Sequence, residues 1–428
     1  MGIRVIRTIR GSASILLCIF FLMPSIVRAQ TSDDLQAKIN QRNQDIQALE
    51  KEIQSYQKQI NALGSQADSL SATIQSLDLT QKKLAADIRV TENKIENANL
   101  TIQQLASSIT GKEETIADDR RLVAHAFSTM HQQDVRSLPE ILLASDSLSD
   151  AWNALDQLNS LQNDLFDRIH QLDKDKTDLE SNKRKKEAAK ADLVALNKQI
   201  GDQRSVVLAT QAEEKQLLKE TKQSQAAYRA QLAQKQALKD AFEQEILDFE
   251  SQLKLSVDAS KLPHTGSGVL SWPLDVIFIT QYFGNTPFAT ANPQIYNGRG
   301  HTGVDFRATI GTPVKAALSG VVSGTGNTDL VIGCYSYGKW VMVKHDNGLS
   351  TLYAHLSLQT VKAGQEVSTG EVVGYSGNTG YTTGPHLHFG VYATQGVEIK
   401  TFDNSKNCQG AVIPIAAFPA YLNPLSYL

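Results

Sequence analysis

The stretch Gly384-Pro-His-Leu-His-Phe389 largely determines how the C-terminal third of this chain folds. Polar and apolar residues alternate in it, and side chains two positions apart in a strand point to the same side. His386 and His388 are therefore predicted to share one face of a strand, while Leu387 points into a core. This places two imidazoles side by side.

Three more residues with suitable side chains lie upstream, in His301-Thr-Gly-Val-Asp305 and Tyr353-Ala-His355-Leu356. Two imidazoles and one carboxylate make a three-ligand zinc shell with its fourth position open to water, as in catalytic sites. Zinc lowers the pKa of its bound water to about 7, and peptide hydrolysis is a natural use of that water. The alternative is a set of unconnected surface or core histidines. His345, close by in sequence, is not needed for the shell and is predicted to have a strand-end or supporting role.

Residues 268–392 resemble the lysostaphin or LytM-type zinc endopeptidases. Short framework motifs carry the resemblance together with the histidine motifs: Trp272-Pro273, Phe283-Gly284, Gly311-Thr-Pro-Val314, Gly320-Val-Val322, Tyr353-Ala-His-Leu356 and Gly377-Asn-Thr-Gly380. The resemblance implies that His301, Asp305 and His388 bind one zinc ion and that His355 and His386 are the catalytic pair. It also implies that the substrate is a peptide cross-link in bacterial peptidoglycan.

Many relatives of this kind have lost ligands and act only as activators of other cell-wall enzymes. Here all five residues are present, which favours a peptidase over a non-catalytic adaptor that activates an amidase. The segment from Asn285 to Gly300 is long and rich in Asn, Pro and Gly, and it lacks the arginine often found just past the Phe-Gly motif. It is predicted to be a loop that walls one side of the substrate groove.

Short alternating segments predict an antiparallel β domain over residues 269–428. They are Lys339–Lys344, Leu349–Ala354, Glu371–Gly374 and His386–Val391, and glycine-rich turns separate them. The region after His264 carries eight basic and eight acidic residues, so it lacks the clustered positive charge that nucleic-acid binding requires.

The N-terminus has the pattern of a secretory signal peptide over residues 1–29. Arg4, Arg7 and Arg10 precede an apolar run from residue 15 to residue 27, which is shorter than the roughly 20 residues of a spanning helix. A secreted or periplasmic location follows, with an uncleaved membrane anchor as the alternative. In an oxidising compartment, Cys334 and Cys408 are predicted to form a disulfide, with two buried free thiols as the alternative.

Residues 30–255 are predicted to form a coiled-coil arm, because between Gln30 and Leu262 there are three glycines and one proline, Pro139. Isoleucines dominate a seven-residue repeat that runs without interruption from Ile39 to Val123, and leucines recur at the same spacing from Leu158 to Val207. A helix from residue 33 to residue 133 would be about 150 Å long, so it needs a partner to bury its apolar stripe. We predict an antiparallel hairpin with its tip near 134–150 and a linker at 256–268; a parallel homodimer is the alternative.

The predicted tip contains the apolar segment Leu138-Pro-Glu-Ile-Leu-Leu143. It either buries itself in a small cap or offers a docking surface. The arm resembles that of EnvC- and PcsB-like peptidoglycan hydrolases and hydrolase activators. This resemblance implies control by an FtsEX-like membrane complex whose extracytoplasmic loop binds the tip. The fold class is thus α+β: a helical hairpin, then a β peptidase domain. We further expect the part of the arm near residues 207–262 to cover the groove.

Overall fold

The structure is a computed structural model, and it describes residues 32–63, 66, 69–133, 147–222, 224–252, 257–287, 290, 300–403 and 405–428. The predicted signal peptide, the apolar segment 138–143 and most of the predicted groove loop lie outside these residues. Within the described residues, four long helices precede the β domain, which we call the head: α1 Ser32–Leu63, α2 Leu70–Gln133, α3 Leu148–Thr221 and α4 Gln225–Gln252.

The prediction of one continuous helix from residue 33 to residue 133 is wrong. Helix α1 ends at Leu63 and lies back along α2. Arg42 of α1 pairs with Glu96 of α2 at 3.0 Å, and the side-chain amide of Asn97 donates to that of Asn43 at 2.8 Å. Ser69 then begins α2, because its hydroxyl accepts a hydrogen bond from the Ala72 N–H at 3.4 Å.

The antiparallel hairpin itself is confirmed. Along α2 and α3, Lys112 pairs with Asp175 at 2.8 Å and Asp119 with Arg168 at 2.6 Å, so residue numbers rise on one helix as they fall on the other. The arm therefore has three helices near the head and two towards its far end. The apolar stripe of α2 is buried by α1 and α3 of the same chain.

The head is built on one antiparallel sheet in the order β1-β2-β9-β6-β5-β4-β7, with β12 beside β9, β8 beside β6 and β3 beside β8. A separate hairpin pairs β10 with β11. The strands are β1 Ile279–Gln281, β2 Val304–Arg307, β3 Pro313–Lys315, β4 Gly320–Asn327, β5 Lys339–Lys344, β6 Leu349–Gln359, β7 Glu366–Val367, β8 Val372–Ser376, β9 His386–Ala393, β10 Val397–Thr401, β11 Val412–Ala416 and β12 Tyr421–Leu422.

Successive side chains of β9 point alternately to the hydrophobic core and to the opposite face of the sheet, where the candidate site lies. Leu387, Phe389 and Val391 are fully buried on one face, where they pack with Phe306 and Tyr353. The histidines of β9 point to the opposite face, as the sequence predicted.

The head also contacts the helices that precede it. Leu84 and Val206 of the arm are fully buried in a cluster with Ile310 and Tyr375 of the head. The segment predicted as a linker lies against the head, where the Gly266 N–H donates to Ser426 O at 2.9 Å. Across the described ranges, no helix is both long and apolar enough to cross a membrane.

Candidate metal centre

Three of the predicted side chains converge on one point. His301 Nε2 lies 3.1 Å from His388 Nδ1 and 3.2 Å from Asp305 Oδ1, and His388 Nδ1 lies 2.9 Å from the same carboxylate oxygen. Ligand atoms about 2 Å from a tetrahedral zinc ion are themselves about 3.3 Å apart. The three groups therefore have the spacing and the donor types of a zinc shell.

Sheet register brings these ligands together. Asp305 on β2 lies directly opposite His388 on β9, and His301 precedes β2 in a bridge to Gly284. His301 Nδ1 lies 3.0 Å from the Tyr282 carbonyl oxygen, so this nitrogen carries the proton and the lone pair of Nε2 points into the site. The backbone thus fixes which imidazole nitrogen faces the site.

The other two histidines stand beside this centre. The rings of His355 and His386 are 4.7 Å apart between centroids, and His386 Nε2 lies 3.8 Å from Asp305 Oδ2. Each ring has its Nδ1 2.8 Å from a backbone carbonyl, of Thr379 for His355 and of Gly384 for His386. Since a carbonyl can only accept, each Nδ1 carries a proton and each Nε2 is free for chemistry.

His355 has an unusual backbone. Its φ is 60°, in the left-handed region that costs a residue with a side chain about 1–3 kcal/mol. It is also almost fully buried. Strain of this kind persists only where the surroundings enforce it, and it marks His355 as a residue whose placement matters.

Burial and neighbouring charge set the protonation of the site. Burial opposes ionisation of Asp305, but the imidazoles of His386 and His301 hold the pKa of its carboxyl well below the usual range. Burial, with His386 and His388 nearby, lowers the pKa of His355 well below its ordinary value, and burial also lowers the pKa of His388. At neutral pH the site thus contains the Asp305 carboxylate and the neutral imidazoles of His355 and His388, the forms that bind a metal ion or accept a proton.

A groove of about 440 Å³ contains the centre, and α4 covers it. Lys239, Glu243, Ile246 and Glu250 of this helix face the metal centre across the groove. The Lys239 ammonium lies 5.1 Å above the ring of Tyr381, and Tyr421 donates a hydrogen bond to Glu250. The sequence predicted that this part of the arm would cover the groove, but it did not identify these residues.

The outer side of α4 rests on a small apolar cluster around the disulfide. Cys334 and Cys408 are joined, with their Cα atoms 4.8 Å apart. Phe242 of α4 is fully buried against them, and its ring lies 5.5 Å from that of Phe402. Glu245 adds hydrogen bonds from the side chain of Asn407 at 2.6 Å and the backbone N–H of Lys406 at 3.2 Å.

His345 lies at the end of β5 with its ring nitrogens 3.0 Å from Ser319 O and 2.9 Å from Thr351 Oγ1, so it supports the sheet and binds no metal. Tyr337 was missed by sequence reasoning. Its ring lies 5.8 Å from that of His388, and burial raises the pKa of its hydroxyl to about 12.

The residues present fit a zinc ion. Bound there, zinc would be held by His301, Asp305 and His388, and would supply a polarised water and a Lewis acid for a carbonyl oxygen. The imidazoles of His355 and His386 stand on the open side of that shell and can accept a proton from the water or donate hydrogen bonds to the reacting group.

The sequence of the head is similar to that of known peptidases. Residues 299–401 match the sequence model of Peptidase family M23. The DD-carboxypeptidase/endopeptidase Mpg of Neisseria meningitidis is 43% identical over 106 residues, 24% of this chain and 23% of that protein. The peptidoglycan DD-endopeptidase ShyA of Vibrio cholerae is 47% identical over 89 residues, 21% of this chain and 19% of that protein.

Among solved structures, the catalytic domain of lysostaphin from Staphylococcus simulans is 36% identical, with a TM-score of 0.24, over 28% of this chain and 81% of that one. The chain spans about a quarter or less of the length of the two curated relatives. The segment that matches the M23 family model, residues 299–401, contains the metal centre. The head of this chain therefore contains a peptidase M23 domain of the LytM type.

Proposed function

We propose that this protein is a zinc-dependent endopeptidase that hydrolyses peptide cross-links of bacterial peptidoglycan. The convergence of His301, Asp305 and His388 on one point, with His355 and His386 on its open side, carries the proposal. Similarity to a peptidoglycan DD-endopeptidase supports the substrate class.

In the proposed reaction, His355 and His386 act through their Nε2 atoms. One accepts the proton of the attacking water, and the other, when it is protonated on both ring nitrogens, donates a hydrogen bond to the oxygen on which negative charge develops. The low pKa of His355 keeps its Nε2 able to accept a proton at neutral pH. Asp305 and the two ligand imidazoles provide a shell of net charge −1 for the ion.

The proposal is tested with residues 265–428, which include the complete head sheet. We expect about one zinc per chain by elemental analysis and solubilisation of purified peptidoglycan. A chelator should abolish solubilisation, and one equivalent of zinc should restore it. Mass analysis of the released fragments identifies the bond that is cut.

The second candidate is a non-catalytic adaptor that activates a cell-wall amidase. The covered groove favours it, because a surface concealed by α4 and exposed on demand can equally be a docking site. Zinc-loaded protein that never solubilises wall material, yet stimulates a purified amidase, would establish the adaptor and exclude the peptidase.

We also propose that the arm regulates the enzyme. The contacts of α4 across the groove, from Lys239 to Glu250, exclude a peptide substrate from the metal centre. The full-length chain should therefore be slower than residues 265–428 on the same peptidoglycan. Equal rates would show that α4 leaves the groove spontaneously and regulates nothing.

We propose that the protein is exported and acts in wall remodelling or daughter-cell separation, with a membrane complex of the FtsEX kind at the far end of its arm. Exposed aromatic side chains support a docking surface there: Trp152 is 73% exposed and Phe166 64%. A purified extracytoplasmic loop of such a complex should bind the wild-type arm and bind Trp152→Ala less tightly.

A further inference from the structure

Two loops hold His355 in its strained backbone conformation. Residues 328–338, the insertion loop, provide the Tyr337 carbonyl, which accepts the His355 N–H at 2.9 Å. Residues 377–382, the Thr379 loop, provide the Thr379 carbonyl, which lies 2.8 Å from His355 Nδ1. One loop thus fixes the backbone of His355, and the other fixes the plane and the tautomer of its ring.

The two loops are joined to each other by hydrogen bonds. The Tyr381 N–H donates to Ser336 O at 3.0 Å, and the N–H of Lys339, the residue that follows the insertion loop, donates to the Thr379 hydroxyl at 3.0 Å. Gly380, with a φ of 74°, approaches so closely that a Cβ there would lie 2.2 Å from Ser336 O. The position of the Thr379 carbonyl therefore depends on how the insertion loop is held.

Asp329 supplies a charged contact between the loops. Both of its carboxylate oxygens lie 3.0 Å from the backbone nitrogen of Gly380, and Gly380 directly follows Thr379 in the chain. Asp329 is itself placed by a short 3-10 helix, Thr328–Leu330, whose first turn is capped by Asn327. The neighbouring Thr328 hydroxyl accepts the Gly338 N–H at 2.9 Å, which closes the insertion loop on itself.

We propose that Asp329 is a positioning residue for the peptidase reaction. By accepting the Gly380 N–H, its carboxylate keeps the Thr379 carbonyl on His355 Nδ1, and this leaves His355 Nε2 aimed into the groove. The proposal rests on the proposed function, in which His355 acts through Nε2. Asp329 touches neither substrate nor metal ligand and acts through the Thr379 loop.

The physical basis is the geometry of proton transfer. A charge-assisted hydrogen bond is shorter and stronger than a neutral one, so Asp329 restrains Gly380 more tightly than water would. Without it, the Thr379 carbonyl moves and the His355 ring can rotate or exchange its tautomer. Misplacement of a reacting group by about 1 Å costs up to about a hundredfold in rate.

The direct test uses the full-length chain with ¹⁵N-labelled histidine. The Nδ1 proton of His355, assigned by its loss in His355→Gln, is observed by NMR. Asp329→Ala should speed its exchange with water about tenfold or more. Asp329→Asn, whose amide oxygen still accepts from Gly380 but carries no charge, should lie between the wild type and Asp329→Ala. The matched control is Asp275→Ala, which removes an exposed aspartate of the head that pairs with Lys315 at 2.6 Å.

The kinetic test adds the same substitutions to a Phe242→Ala chain, in which α4 is loosened. Asp329→Ala should lower kcat about tenfold or more with KM within about twofold and zinc retained. The proposal is overturned if Asp329→Ala matches Asp275→Ala in both proton exchange and kcat. It is also overturned if Asp329→Ala loses zinc in proportion to its loss of kcat. If the Phe242→Ala parent cleaves no peptidoglycan, the proposed function fails, whereas the proton measurement still decides the role of Asp329.

Discussion

At the scale of single residues, the site depends on backbone carbonyls that set the tautomer of three of its four histidines. Carbonyls of Tyr282, Thr379 and Gly384 accept from Nδ1 of His301, His355 and His386. This leaves three Nε2 atoms facing the groove, of which one belongs to the proposed metal shell and two to the proposed catalytic pair. A substitution in the pair should therefore separate metal binding from turnover.

We expect His355→Ala and His386→Ala each to keep about one zinc per chain and to lower kcat by about a hundredfold or more. Both lie outside the proposed shell, so the ligand set survives. Zinc content and peptidoglycan solubilisation are measured on residues 257–428, with His264→Ala, an exposed histidine far from the site in sequence, as the control. Loss of zinc from either variant would mean that the ligand set has been assigned wrongly.

At the scale of elements, α4 has two different faces. One face lines the groove, and the other carries Phe242 into the cluster around the Cys334–Cys408 disulfide. Of the two bonded cysteines, Cys334 lies within the segment that matches the M23 family, and Cys408 lies beyond its end at residue 401. The β10–β11 hairpin and the disulfide thus form the surface on which α4 packs.

Phe242→Ala in the full-length chain should increase the rate of peptidoglycan solubilisation. Removing a fully buried phenylalanine costs about 3–5 kcal/mol of packing, and here most of that packing holds α4 to the head. Hydrogen exchange of α4 should become faster in the same variant. The control is Gln234→Ala on an exposed position of the same helix. Faster exchange without a faster reaction would show that α4 is not the barrier to substrate.

The Cys334→Ser/Cys408→Ser chain should be less stable and should hold α4 less firmly. A bond that closes a loop of 74 residues contributes about 4 kcal/mol through the entropy of the unfolded chain. Denaturant unfolding should show a loss of about 2–4 kcal/mol relative to the oxidised wild type. Reductant should lower the stability of the wild type towards this value and leave the double variant unchanged; a further loss in the variant would assign the effect to another group.

At the scale of the whole molecule, the arm is attached to the head at its base. Leu84 of α2 and Val206 of α3 are buried against Ile310, and Gly311 turns beneath them with a φ of 84°. A Cβ at Gly311 would lie 2.4 Å from Leu84 Cδ2, so the glycine permits a close approach of helix and turn. The direction of the arm relative to the groove depends on this contact.

Leu84→Ala should free the base of the arm from the head. Truncating a fully buried leucine costs about 2–5 kcal/mol. Small-angle scattering should show a larger radius of gyration, while circular dichroism shows unchanged helix content. Leu165→Ala, in the two-helix part of the arm, is the matched control, because it weakens the coil but leaves the base in place. Equal changes in both variants would mean that the base contact does not orient the arm.

The sequence by itself determined the strand that carries His386 and His388, the five side chains that line the groove, the helical character of the described residues between 32 and 252, and the M23-like head. These follow from local periodicity and residue chemistry, which act over a few neighbouring positions. The end of α1 at Leu63 was not predicted, because the seven-residue repeat of apolar residues continues in the sequence past this point without a shift. Tertiary structure alone decided that α1 folds back on α2, that Phe242 and Glu250 are among the residues by which α4 is held over the groove, and that Asp329 contacts the loop of Thr379. Those contacts join residues far apart in the chain, and their formation depends on how the packed elements meet in space.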